Sequence, residues 1–186
     1  MKKISFFAII SLLLFIQCKK DKDPFLITNN EIGHLTKEIK ISQLDSIFSQ
    51  DSIVKLDAKS SFITRTEQIE IYEKGGGKLL QINTKAEEGN ELKINNIQIF
   101  DTRYKTDKGL SLKSTFKDLK DNYTIRSIQN GIQTVIVSLA ESDVYITIDK
   151  SFLPEHLKNE FGATITENDI PDTATFKFLM IGWEAE

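Results

Sequence analysis

The stretch 106–122 constrains the fold more than any other part of the chain, because it joins a turn to the start of a short helix. Leu110 and Leu112 alternate with polar neighbours, which is typical of the end of a strand. Ser114 or Thr115 can then cap a helix, since a hydroxyl there accepts a hydrogen bond from a free amide of the first turn. The sequence therefore predicts a strand end, a cap and a helix in succession.

The predicted helix needs a surface to lie on. Phe116, Leu119 and Tyr123 recur at three- and four-residue spacing, which places them on one helix face. A helix this short is marginal alone in water, and the segments after it have the patterns of strands. We therefore expect an α+β fold, in which short helices pack on one face of an antiparallel sheet.

An earlier part of the chain repeats this pattern in weaker form, and strand-like runs with a hairpin follow each copy. The repeat favours two copies of one helix-plus-meander unit, residues 27–105 and 106–186. The alternative is two unrelated helices that share only helical periodicity. A shift of 75 positions superposes four pairs of apolar residues: Ile41 on Phe116, Leu44 on Leu119, Phe48 on Tyr123 and Ile53 on Ile128.

In the first unit, residues 41–49 predict a helix and 53–56 predict a short strand. Residues 68–74 alternate with a period of two and reach a triple glycine at 75–77, which indicates a β-hairpin. A triple glycine followed by Lys78 also suggests a phosphate loop, but such a loop continues into a helix. Because a further strand follows here, the hairpin is the better interpretation.

The last strand of the first unit carries apolar residues on both of its faces. Strict alternation over 92–100 places Ile94 and Phe100 on one side, and Ile97 and Ile99 on the other. We therefore expect a central strand that is partly buried on both faces.

The second unit predicts a three-stranded meander, a late helix and a final strand. Asn130-Gly131 is the strongest hairpin signal in the chain. Ser151 is expected to cap the late helix, with Pro154 in its first turn. The predicted strands are 123–129, 132–140, 144–149 and 173–183, the last with Phe176, Phe178 and Met180 on one face, and 165–172 is predicted to be a loop.

The N-terminus has the pattern of a secretion signal. Lys2 and Lys3 precede an apolar run at 4–16, which is too short to span a bilayer because spanning takes about 20 residues. Residues 1–17 are therefore predicted to be a signal peptide. The run ends at Cys18, the single cysteine of the chain.

A lone cysteine directly after such a run resembles the lipobox of bacterial lipoproteins, in which the cysteine is acylated and becomes the first residue. The resemblance implies lipidation of Cys18, although Gln17 stands where that family prefers a small residue. The alternatives are an ordinary cleaved signal with an incidental cysteine, or an uncleaved anchor. Once Cys18 is acylated, the mature domain has no thiol for a disulfide, a nucleophile or a metal ligand.

Residues 18–26 are predicted to be the lipidated cysteine and a flexible tether, because 19–24 are charged and have little apolar content. The lysine and aspartate run resembles the surface-export signal of Bacteroidetes lipoproteins, and Lys19 resembles signals for outer-membrane sorting. The resemblance implies an outer-membrane lipoprotein of the cell envelope and leaves its leaflet open. The alternative is a solvated spacer.

No catalytic, metal or cofactor site is predicted. The net charge is −3 and no basic face is evident, so nucleic acid is not an expected partner. His34 and His156 are far apart, and the acidic pairs Glu87-Glu88, Asp21–Asp23 and Asp169–Asp172 have the pattern of solvated loops. Asp101, Arg103 and Tyr104 cluster before the central turn, together with Lys105 and Asp107. They are a candidate interaction rim, for which surface ion pairs are the alternative.

Two groups of residues carry a resemblance of pattern: Gly33, Leu35, Ile41, Leu44 and Phe48, and then Gly109, Leu112, Thr115, Phe116, Leu119 and Tyr123. They resemble β-lactamase-inhibitor-protein-like modules and small outer-membrane-assembly lipoprotein modules, although those usually pair two helices before the sheet. More broadly, residues 27–183 resemble Bacteroidetes lipoproteins of unknown function. The resemblance implies a non-enzymatic protein-binding or envelope-assembly module. The alternatives are a ligand-binding protein or hydrolase with dispersed carboxylates, and an inhibitor or immunity protein.

Overall fold

A computed structural model describes residues 22–56, 66–86, 91–160 and 162–183. The predicted signal peptide, Cys18 and residues 19–21 of the tether lie outside this range. Within it the protein is mostly β, with a few short helices, and no helix there has the length and apolar character needed to cross a bilayer. Eight strands form the main sheet: β4 (Ser52–Leu56), β5 (Gln68–Tyr72), β6 (Lys78–Ala86), β7 (Leu92–Ile99), β9 (Ile125–Asn130), β10 (Thr134–Leu139), β11 (Val144–Asp149) and β12 (Phe176–Gly182).

The main sheet consists of two antiparallel meanders in the order β4-β5-β6-β7 and β12-β11-β10-β9. They meet where β7 pairs with β12, with Ile99 directly opposite Leu179. A short helical segment precedes each meander in the chain: α1 (Leu44–Ile47) in the first half and α2 (Phe116–Asn122) in the second. The predicted antiparallel sheet is confirmed.

A second, smaller sheet contains a parallel pair that brings the two ends of the first half together. Its strands are β1 (Leu26–Ile27), β2 (Glu31–Ile32), β3 (Leu35–Thr36) and β8 (Lys105–Thr106). They lie in the order β3-β2-β1-β8, with Leu26 opposite Lys105. The strand end predicted at Leu110 and Leu112 is wrong, because a turn closed by the Thr106 amide on the Leu110 carbonyl (2.9 Å) folds this segment back.

The prediction for α2 is confirmed, with Thr115 as its cap. The Asp118 amide donates to Thr115 Oγ1 (3.3 Å), and the Thr115 amide donates to Asp118 Oδ2 (2.7 Å), which is a reciprocal capping box. Phe116 and Leu119 are completely buried. The helix ends at Asn122 because Tyr123 adopts an extended backbone.

The other two helices are shorter than predicted. Residues 41–49 contain a 3₁₀ turn (Ile41–Gln43) and the single α-helical turn of α1. Ser151 does not cap the late helix, because its amide donates to Asp149 Oδ1 (3.0 Å) within a separate 3₁₀ turn, Lys150–Phe152. The helix itself, α3 (Glu155–Lys158), starts after Pro154. The predicted loop at 165–172 contains a further 3₁₀ turn, Glu167–Asp169.

Two β-bulges alter the predicted faces of the central strands. In β7, Asn96 lies opposite Asn83 but Ile94 lies opposite Thr84, so that Asn95 is an extra residue. The bulge turns Ile94 onto the same buried face as Ile97 and Ile99. The predicted central position of this strand is confirmed, but its buried apolar residues lie on one face rather than on both.

The second bulge lies in β12. Phe178 is opposite Thr147 and Phe176 is opposite Ile148, so Lys177 is the extra residue. Phe176 is buried and Phe178 is exposed, which corrects the prediction that they share a face. The Asn130-Gly131 hairpin is confirmed, but residues 131–133 form a longer loop rather than a two-residue turn.

The core lies on one side of the main sheet. Each of the three helices contributes a leucine to this core: Leu44 of α1, Leu119 of α2 and Leu157 of α3. These leucines pack together with residues of the small sheet and with the inner face of the main sheet. One row of apolar residues crosses all eight strands, each opposite the next: Ile53, Ile71, Leu80, Ile99, Leu179, Ile146, Val137 and Ile128. The six central members are almost completely excluded from solvent.

Candidate functional site: the open face of the main sheet

The face of the main sheet that points away from the core is the candidate site. We call the apolar row from Ile53 to Ile128 the core row. Because side chains alternate along a strand, the row of residues next to the core row points outward. We call this surface the open face, and none of the apolar residues in its row belongs to the core cluster. The outward row consists of Val54, Glu70, Gln81, Gln98, Met180, Tyr145, Ser138 and Ser127, each opposite the next.

The half of the open face formed by β5, β6 and β7 is polar and internally hydrogen-bonded. Glu70 accepts hydrogen bonds from Tyr72 Oη (2.7 Å) and Lys78 Nζ (2.5 Å). Lys78 also donates to Gln81 (2.8 Å). Further along the same strands, Asn83 Nδ2 donates to Asn96 Oδ1 (2.7 Å). These bonds restrain the polar side chains relative to one another.

The network also sets the protonation of its two acidic groups. The hydrogen bond from Lys78, assisted by that from Tyr72, lowers the pKa of Glu70 below its ordinary value. The same carboxylate raises the pKa of Tyr72, because it accepts the phenolic proton. At neutral pH the network is therefore a carboxylate held between an ammonium and a neutral phenol.

The half of the open face formed by β10, β11 and β12 is richer in apolar and aromatic groups. Tyr145 lies over Gly182, where a Cβ would meet its ring carbon Cε1 at 3.4 Å. Met180 is opposite Tyr145, and Ile136 is opposite Thr147, which in turn faces Phe178. Phe178 is 37% exposed. The two halves together give a surface of hydrogen-bonded polar groups beside the half-buried side chains of Tyr145, Met180 and Ile136 and the exposed ring of Phe178.

Asp101, Arg103 and Tyr104, the residues of the predicted interaction rim, lie close together and contact the N-terminal segment. The Arg103 guanidinium donates to both oxygens of Asp101 and to Glu73 (2.9 Å). It lies over the ring of Phe25, 4.3 Å from the centroid. Tyr104 is buried and meets the same ring edge-on, with 5.0 Å between centroids.

Charge and burial explain the ionisation of this cluster. The Arg103 hydrogen bonds hold the pKa of Asp101 below its ordinary value. Burial, followed by the nearby carboxylates, raises the pKa of Tyr104. Tyr104 therefore stays neutral at neutral pH, and its buried ring packs against Phe25.

The remaining polar candidates lie in several separate places within the described parts of the chain. No group of three or more His, Cys, Asp or Glu there could hold a metal ion. His34 and Tyr104 line a small cavity of about 170 Å³ together with Asp51 and Glu73, but Asp101 and Arg103 do not line it. Asp169 caps a 3₁₀ turn through Thr166, and Asp172 pairs with Lys120. Glu87, Glu88 and Asp21 lie outside the described residues.

A separate polar cleft of about 450 Å³ lies where β8, the end of α2 and the β10–β11 turn meet. Tyr123 Oη donates to Thr106 Oγ1 (2.7 Å) and is 3.5 Å from Asp107 Oδ1. Lys108 Nζ lies 4.5 Å from the centre of the Tyr123 ring. Asn29 closes one side by donating to the Glu141 carbonyl (2.8 Å).

Sequence reasoning singled out Asp101, Arg103 and Tyr104, which lie together in the structure, but it did not predict the open face. Polar residues such as Gln81, Asn83 and Asn96 alternate with apolar ones, which predicts an exposed side for each strand separately. The order of the strands, which lines these sides up into one surface, depends on the pairing of β7 with β12 across 80 positions, and no local pattern encodes it.

No model of a known protein family matches the chain, and no curated protein sequence matches it either. A solved structure is similar in fold: the crystal structure of the uncharacterized protein yfeY from Escherichia coli, with a TM-score of 0.57. The match covers 84% of this chain and 98% of that chain, at 14% sequence identity. This likeness shows that the fold is shared.

Proposed function

We propose that the protein is a non-enzymatic, membrane-anchored module of the cell envelope that binds another protein through the open face. The observation that carries the proposal is the outward row from Val54 to Ser127, which lies outside the core cluster of the described residues and has the half-buried Met180 and Tyr145 near its middle. Aromatic residues and Met are enriched in protein interfaces.

The dimensions of the open face suit a protein partner better than a small molecule. Seven strand spacings of about 4.8 Å make it about 34 Å wide, and five residues per strand make it about 17 Å long. The resulting area of roughly 600 Å² is close to one side of a standard interface, about 800 Å². A small ligand would instead need a concave pocket that surrounds it.

Membrane attachment is the second part of the proposal, and it is supported by the sequence alone. The apolar run at 4–16 ends at Cys18, and a charged stretch follows. Acylation of Cys18 would hold the module at the outer membrane. Mass spectrometry of the protein purified from its native envelope tests this, because a diacylglyceryl group on Cys18 supports lipidation and a free thiol on a full-length or cleaved chain contradicts it.

We further propose that the two halves of the fold are copies of one unit. The core row supports this, because the strand order of the second half mirrors that of the first. β4, β5, β6 and β7 correspond to β9, β10, β11 and β12, and each of these strands contributes one residue to the row. Ile53 and Ile128, one shift of 75 positions apart, form its two ends. Superposing the halves in an experimental structure tests the idea, since copies should align helix and strands together and unrelated halves should align strands only.

Affinity purification tests partner binding. Full-length protein is isolated from its native envelope after crosslinking, next to variants Met180→Glu on the open face and Lys117→Glu on the exposed side of α2. We expect a partner protein to co-purify with the unsubstituted protein and with Lys117→Glu, but not with Met180→Glu. A partner retained equally by both variants would place the binding surface elsewhere.

The cleft beside Tyr123 favours a second candidate function, the binding of a small polar ligand. Its volume lies within the range of ligand sites, and Thr106, Asp107 and Asn29 supply hydrogen-bonding groups around it. A thermal-shift screen of polar metabolites with the unsubstituted protein and Asp107→Asn tests this alternative. A stabilising compound whose effect disappears in the variant would favour ligand binding over a purely protein-binding role.

A further inference from the structure

The N-terminal segment enters the fold at one particular end of the main sheet. The Phe25 carbonyl accepts a hydrogen bond from the Lys105 amide (3.0 Å), and the Phe25 ring is held by Arg103 and Tyr104. Lys22 pairs with Glu31 at 2.6 Å. The chain is therefore held in place from Lys22 onwards, beside the loop that follows the end of β7.

The length of chain before this point limits how far the domain can stand from its anchor. Three residues, 19–21, separate Cys18 from Lys22. Four fully extended steps of about 3.5 Å span at most about 14 Å. If Cys18 is acylated, as the proposed function requires, the end of the sheet that holds Phe25 must lie close to the lipid headgroups.

Exposed apolar side chains project from this same end. β7 finishes there at Ile99, and the register across β12, β11 and β10 brings the β9–β10 loop to the same end. At this loop Ile132 is 76% exposed, the highest exposure of any large apolar residue among the described parts of the chain. Phe152, in the 3₁₀ turn that follows β11, is 36% exposed.

We infer that this end of the sheet, which we call the anchor end and define by Phe25, Ile132 and Phe152, rests on the lipid surface. Acylation supplies the attachment, and Ile132 and Phe152 set the orientation by entering the interface between headgroups and acyl chains. The strands then run away from the membrane, so the open face stands upright and stays accessible to a partner. This inference rests on the lipid anchor of the proposed function.

Fluorescence quenching by brominated lipids tests the orientation. The acylated full-length protein is reconstituted into phosphatidylethanolamine–phosphatidylglycerol vesicles with and without brominated acyl chains. Separate variants carry Ile132→Trp, Phe152→Trp, or Lys85→Trp, the last an exposed position at the opposite end of β6. The unsubstituted protein, whose Trp183 is buried, provides the baseline.

We expect brominated lipid to reduce the fluorescence of Ile132→Trp and Phe152→Trp and to leave Lys85→Trp at the baseline. Quenching at Lys85→Trp alone, or at none of the three, would overturn the inference. The inference would also be overturned if the fluorescence of Ile132→Trp were protected from aqueous acrylamide but not quenched by brominated lipid. In that case a protein, and not the membrane, would cover this end. Flotation of the same samples separates the two claims, since protein that fails to float refutes the anchor itself.

Discussion

Leu179 lies directly opposite Ile99 at the junction of the two meanders, and its neighbour Met180 points to the other face of the sheet. Leu179 is completely buried, whereas Met180 is half-buried on the open face. Two adjacent residues of similar size therefore report on the two sides of the same sheet.

This relationship predicts that replacing Leu179 or Met180 by Ala lowers the free energy of unfolding by very different amounts. Leu179→Ala should lower the free energy of unfolding by about 2–5 kcal/mol, because it leaves a cavity in the core. Met180→Ala should lower it by about 1 kcal/mol or less, as at a surface site. Chemical denaturation measures both, and similar losses for the two variants would mean that the face we call open is covered.

The capping box of α2 makes a second prediction. Thr115→Ala removes the acceptor of the Asp118 amide, and the loss of a cap costs about 1 kcal/mol. Ser114→Ala, at the other hydroxyl that the sequence offered as a cap, leaves that capping bond intact but removes the acceptor of the Ser111 amide (3.1 Å). Thermal or chemical unfolding of both variants checks the assignment, which an unchanged stability in Thr115→Ala would refute.

The polar network around Glu70 makes stability depend on pH. The pKa of Glu70 is lowered from 4.5 in the folded protein by Lys78 and Tyr72. The stabilisation is therefore present above pH 4.5 and is lost as the pH falls through the lower, folded pKa. Glu70→Gln should lose less stability than the unsubstituted protein on acidification from pH 5 to 3.

The control for this pH effect is Glu38→Gln, which replaces an exposed carboxylate outside the network. Its pH profile should follow that of the unsubstituted protein. Denaturation curves recorded at several pH values give the change in the free energy of unfolding with pH. If this change is identical for Glu70→Gln and Glu38→Gln, the Glu70 network is not the source of the pH dependence.

The contact between Arg103 and Phe25 makes a prediction about the N-terminal segment. Arg103→Ala removes the cation over the ring and the hydrogen bonds to Asp101 and Glu73. Chymotrypsin should then cut after Phe25 faster than in the unsubstituted protein. Arg126→Ala, which removes another exposed arginine, should leave the cleavage rate unchanged, and equal rates in all three proteins would show that Arg103 does not hold this segment.

Local patterns in the sequence were sufficient to predict α2, the hairpins and a hydroxyl cap at either Ser114 or Thr115, because the forces involved act over a few residues. The spacing of Phe116 and Leu119 and the hydroxyl of Thr115 are local features. The glycines at 75–77 and Asn130-Gly131 likewise mark turns within the segment they connect.

The two bulges and the small sheet could not be predicted in the same way. The position of an extra residue such as Asn95 or Lys177 depends on the partner strand, and a shift of one residue exchanges the faces of a strand. The parallel pairing of Leu26 with Lys105 joins segments 79 positions apart. The same limit applies to the candidate site, because the open face exists only once the strands are ordered.

Site-specific photo-crosslinking in the native envelope tests the central claim most directly. A photoreactive amino acid replaces Gln98 or Met180 on the open face, or Lys117 on the exposed side of α2. The account predicts one discrete protein adduct from Gln98 and Met180 and none from Lys117. Adducts from Lys117 alone, or no adduct from either position on the open face, would contradict the proposal that this face binds a protein partner.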